Sequence, residues 1–136
     1  MPRYMLLIEH SQELASEAVP QSLHEEMGQF VTENLQSGVL VETNGLRPTS
    51  EGTRIRQSRR RITITDGPFT ESKEVVGGYA LVEVASRKEA VDLATRFMEI
   101  HLRHWPDFEG TCEVRPIDGD QSEGPCSGVA SEAASS

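Results

Sequence analysis

Apolar positions alternate in short runs along most of this chain and take up helical spacing twice. From Arg3 to Glu9, Tyr4, Leu6 and Ile8 fall on one side and Met5 and Leu7 on the other. A strand here is apolar on both faces and belongs in the middle of a sheet. His10 to Pro20 is polar and Ala-containing, without a period, and reads as a connection. Ser22 and Glu25 have capping-box spacing, and Leu23, Met27, Phe30, Val31 and Leu35 recur behind them up to Gly38. The pattern predicts a helix over 22–37, with Gly38 just past its end.

The next forty residues are broken. Val39 to Glu42 is extended, and Asn44-Gly45 and the stretch from Pro48 to Gly52 are turn signals. Thr53 to Gln57 and Arg60 to Thr65 read as a hairpin, a β-arm with Ile55, Ile62 and Ile64 in alternation. Tyr79 to Val84 is apolar on both faces, so a second internal strand is expected. Ser86 and Glu89 repeat the capping box ahead of Val91, Ala94, Phe97 and Met98, predicting a helix over 87–102 that Trp105-Pro106 ends. Thr111 to Ile117 is the last strand, with Cys112 and Val114 facing one way and Glu113 and Arg115 the other. The order is strand, helix, strand, arm, strand, helix, strand: an α+β, ferredoxin-like split β-α-β plan with an inserted hairpin. Two helices cover one face of such a sheet, so a second copy is expected on the other, making a homodimer.

Composition bounds the rest. The chain has 136 residues and a formal charge of −9, which argues against direct nucleic-acid binding. One domain over 1–117 is expected, followed by an acidic tail over 118–136, rich in Ser, Gly and Ala and too poor in apolar residues to fold. The longest apolar run, Tyr4 to Ile8, is far short of a membrane span, and Glu9-His10 interrupts the only candidate signal peptide, so the default is a cytoplasmic protein. Two cysteines, Cys112 and Cys126, make no disulfide framework.

The chemistry concentrates after the arm. Asp66-Gly67-Pro68-Phe69 breaks the ladder, Thr70 to Glu74 carries Glu71, Lys73 and Glu74, and Gly77-Gly78-Tyr79 opens the next strand. This stretch, with Tyr4 to Ile8 at the start and Glu113-Val114-Arg115-Pro116 at the end, resembles the DGPF-containing YCII-related family. The resemblance implies a ferredoxin-like domain, usually dimeric, and we expect a sheet-on-sheet dimeric α/β barrel with a cleft near Asp66. It also implies a histidine and aspartate pair, for which His24 and Asp66 are the matching catalytic candidates and His10 the competing histidine. A small-molecule pocket with acid-base chemistry and no organic cofactor is the first expectation, with Glu71, Lys73, Glu74 and Arg115 as ligand-binding residues. The alternative, implied by the resemblance because relatives of this domain occur fused to sigma-factor domains, is a non-catalytic regulatory module with a transcription-linked protein partner, docked through the arm.

Each candidate has a plainer reading. Asp66 in Asp-Gly bonds its own turn, His24 beside Glu25 and Glu26 suits a solvated helix start, and the loop charges neutralise one another. Gly77-Gly78 precedes no helix and reads as close packing rather than a phosphate loop. His101 and His104 with Cys112 are a weak zinc pattern, and cationic groups near a helix end are favourable without metal. No metal is expected. Arg54, Arg56, Arg59, Arg60 and Arg61 either grip an acidic partner or keep the arm from pairing with other chains.

Overall fold

Tyr4, Leu6, Leu40, Val82 and Val84 from strands meet Ala90, Leu93 and Ala94 from a helix in one buried cluster. A computed structural model describes residues 1–11, 18–69 and 74–118. The strands are β1 (Arg3–Ser11), β2 (Leu40–Gly45), β3 (Thr53–Ser58), β4 (Arg61–Asp66), β5 (Glu74–Glu83) and β6 (Gly110–Pro116), and the helices are α1 (Gln21–Gln36) and α2 (Arg87–His104). Four strands form an antiparallel sheet in the order β2-β5-β1-β6, so β1 and β5, the two with apolar residues on both faces, are internal. Leu23 from α1 and Leu93 and Ile100 from α2 are buried, and Phe30 and Val31 pack beside the cluster. The other sheet face carries half-buried Met5, Leu7, Tyr79 and Leu81, with an ion pair of 3.0 Å from Arg3 to Glu83. No helix among the described residues is long and apolar enough to cross a membrane.

The expected ferredoxin-like dimeric α/β barrel is corrected. The four-stranded sheet is open, with β2 and β6 as its edges, and closure would require an edge to find a partner. The arm does not supply one. Among the described residues β3 and β4 pair only with each other, as a second, two-stranded sheet. The molecule is therefore a mixed α/β fold with two sheets, in a single chain.

Local corrections have equally local causes. The box at Ser22 and Glu25 does not form: α1 starts one residue earlier, with Pro20 as N-cap and no side-chain cap bond. Pro20 supplies its carbonyl instead, accepting from the amides of Leu23 and His24. At α2 the serine does cap, Ser86 Oγ accepting from the Glu89 amide at 3.3 Å, while Glu89 reaches back one residue past the N-cap to accept from the Ala85 amide at 2.9 Å. β5 begins at Glu74 rather than Tyr79, because its first residues pair with β1 from Ser11 inward. Thus Glu74 and Gly77-Gly78 lie in a strand, not in a loop. The expected tail falls almost wholly outside the described residues.

Candidate functional site

A cavity of about 590 Å³ opens between the sheet and the helices where β1 ends. Ile8 and His10 of β1 and Gly77-Gly78 of β5 line it from the sheet, and Met27, Val31, Phe97 and His101 from the helices. Trp105, Phe108 and the connection from Leu46 to Thr49 complete it. The space begins with the glycines. Ile8 pairs with Gly78 and Glu9 with Val76, so Gly77 is the extra residue of a bulge. A Cβ on Gly77 would lie 2.0 Å from His10 Nε2, so the imidazole occupies room that only glycine leaves there.

Two imidazoles face this space with the same tautomer. His10 Nδ1 lies 2.8 Å from the Ser11 carbonyl and His101 Nδ1 lies 3.1 Å from the Phe97 carbonyl. A carbonyl only accepts, so Nδ1 carries the proton in both rings and Nε2 keeps its lone pair whenever the ring is neutral. Neither Nε2 has a hydrogen-bond partner among the described residues. The His101 ring is packed between Phe97 and Phe108, each with a centroid at 4.8 Å, and Trp105 follows at 5.3 Å from Phe108. With Phe30 at 6.4 Å from Phe97, four of the chain's seven aromatic side chains stand in this row. Burial among them lowers the His101 pKa from its usual value, against the opposing effect of the Phe97 carbonyl, so the ring is neutral at pH 7.

His104 does other work. Its Nε2 donates to Glu26 at 2.5 Å, and Arg103 pairs with the same carboxylate, which ties the end of α2 to the start of α1. The His104 hydrogen bond is the main reason that the Glu26 carboxyl is held below its usual range; burial opposes it and Arg103 adds to it. His101 and His104 thus turn to different partners. Cys112 is half-buried, with its thiol pushed up to about 11 by burial, so it stays protonated and is a poor source of thiolate.

The residues singled out in the sequence are scattered. His24 is exposed in the first turn of α1, and Asp66 is exposed at the end of β4, where Oδ1 accepts from Thr53 Oγ1 at 3.0 Å. Among the described residues no hydrogen bond or ion pair joins His24 to Asp66, and neither lines the cavity. Glu74 is exposed opposite Ser11, and Arg115 is exposed on β6 at 3.7 Å from Glu113. Glu71 and Lys73 lie outside the described residues. Of all the named candidates, the cavity brings in His10, and it adds His101.

The model of the YCII-related domain matches residues 2–101. The chain belongs to the YCII-related family. Within this YCII-related chain the matched span runs from β1 to His101, so both cavity imidazoles fall inside it, while Trp105 and Phe108 fall beyond it. The chain is also similar to an uncharacterised protein of Rhizobium meliloti (strain 1021), 34% identical over 83 residues, which is 61% of this chain and 63% of that protein. The chain thus spans under two thirds of that relative's length. The aromatic part of this YCII-related site had a signal in the sequence. Phe97 and His101 are one turn apart on α2 and Trp105 caps its end, a spacing that reads as core.

Proposed function

We propose that this protein binds a small, largely apolar molecule in the cavity at the end of β1, and that His101 acts on it as hydrogen-bond acceptor and base. The observation that carries this is the His101 ring itself. Its proton is fixed on Nδ1 by a main-chain carbonyl, its position is fixed between two phenyl rings, and its Nε2 has no partner among the described residues. A neutral, oriented imidazole is what a general base requires at neutral pH. The volume suits a one- or two-ring compound, and the aromatic row favours a planar one. Trp105 is the single tryptophan and lines the cavity, so it reports occupancy. A small aromatic should change its fluorescence saturably, and Val31→Phe, which fills the space from α1, should abolish that change. An unaltered response in the filled variant would place binding elsewhere.

A second reading rests on the arm. Every residue of β3 and β4 is exposed, and Ile55, Ile62 and Ile64 are 69%, 61% and 69% exposed on one face. Arg54 and Arg56 lie on the opposite face, and Arg59 and Arg60 form the tip with φ of 54° and 67°, a left-handed turn in which Asn-Gly is the less strained choice. A bare apolar face and a strained cationic tip are both unfavourable for the arm alone. They match an acidic protein surface with an apolar centre, and the regulatory reading would act there. Nucleic acid fits less well, because the isoleucines find nothing apolar on a phosphate backbone and the chain as a whole is at −9.

A further inference from the structure

The cavity's charge pattern identifies what it takes, and the argument rests on the cavity being the ligand site. The chain carries 22 acidic residues, yet none of the residues lining the cavity is Asp or Glu among those described. The one formal cation in the lining, Arg47, is largely exposed, and its guanidinium is bound to Glu51 by two hydrogen bonds of 3.2 and 2.8 Å. The remaining titratable nitrogens are His10 and His101, each with Nδ1 committed to a carbonyl and Nε2 without a described partner.

From this arrangement we infer that the cavity selects aromatic weak acids, with the acidic oxygen directed to the Nε2 of His101, over amines of the same shape. The chemistry is complementary in both protonation states. A protonated acid donates its O–H to the neutral Nε2, and an ionised acid accepts from an imidazolium formed by taking up one proton. An ammonium can also donate to Nε2. It would then leave water for a space whose described lining holds no carboxylate, and the Glu51 carboxylate at the rim is already taken by Arg47, so its desolvation goes uncompensated. A carboxylate, by contrast, gains an oppositely charged partner once the imidazole takes up a proton. The aromatic row beside His101 gives either ligand the same stacking surface, which leaves charge as the discriminating feature.

Three probes with one ring test this: phenylacetate, 2-phenylethanol and 2-phenylethylamine, each titrated into the full chain at pH 7 and followed by Trp105 fluorescence and by the His101 ring resonances. Phenylacetate should bind at least about tenfold more tightly than the amine, the size expected of one favourable against one unfavourable short-range charge contact. Arg47→Gln should narrow the gap between acid and alcohol. An amine that binds as well as the acid overturns the inference. If the alcohol binds and the acid does not, the cavity remains a ligand site and only the acid selectivity fails. If no probe moves either signal, the cavity reading fails as well.

Discussion

Gly77 decides where His10 sits. Because a Cβ there would meet the far end of a side chain rather than main chain, Gly77→Ala should swing the imidazole away at small cost to the fold. The expected result is a melting temperature within a few degrees of the parent, displaced His10 ring resonances and weakened probe binding; intact binding would show that His10 is not part of the site. His101 makes a prediction of the opposite kind, through stability. Burial lowers its folded-state pKa, so as pH falls below about 6.5 the unfolded chain takes up the proton first, and stability drops until the folded value is passed. Melts from pH 8 to 5 should therefore show the parent losing ground relative to His101→Gln below about pH 6.5, whereas parallel curves would mean that the ring is not held neutral. Glu26 titrates in a separate, more acidic window, since its pKa is lowered. Little of this was legible in the sequence. His10 was visible only as a competitor to His24, and His101 looked like a helix-end cation, because spacing does not reveal which nitrogen of an imidazole a carbonyl holds.

Among the elements, helix ends separate what the sequence foretold from what it did not. Ser22 and Ser86 each stand three residues before a glutamate, and only Ser86 caps. At α1 the N-cap is Pro20, which has no side-chain oxygen to accept from the Leu23 amide, and Ser22 already lies inside the helix. Ser86→Ala should then cost about 1 kcal/mol, the usual value of a lost cap, and Ser22→Ala should cost a few tenths at most. Equal losses in denaturant titrations would restore the box at Ser22. The internal strands were readable from their two apolar faces. The early start of β5 was not, because Gly77-Gly78 signals a loop by composition and becomes a bulged strand only through pairing with β1.

For the whole molecule, the order of elements was written in the periodicity, while closure was not. The hairpin of Thr53 to Asp66 was readable from its alternation, but alternation does not say whether an arm joins the main sheet, and here it pairs with itself. Its isoleucines hold nothing in the described fold, so replacing Ile55, Ile62 and Ile64 together with Thr should move the melting temperature by no more than about a degree or two. A loss of many degrees would mean that the arm is packed in solution. The central claim is that ligand chemistry belongs to the cavity beside His101 and not to the exposed start of α1. It is tested most directly by long-range nitrogen–proton NMR spectra of the histidine rings, with and without saturating phenylacetate. The account predicts His101 as the Nδ1–H tautomer at pH 7, its Nε2 resonance shifting on binding while that of His24 stays in place. A shift at His24 with His101 unmoved would contradict it.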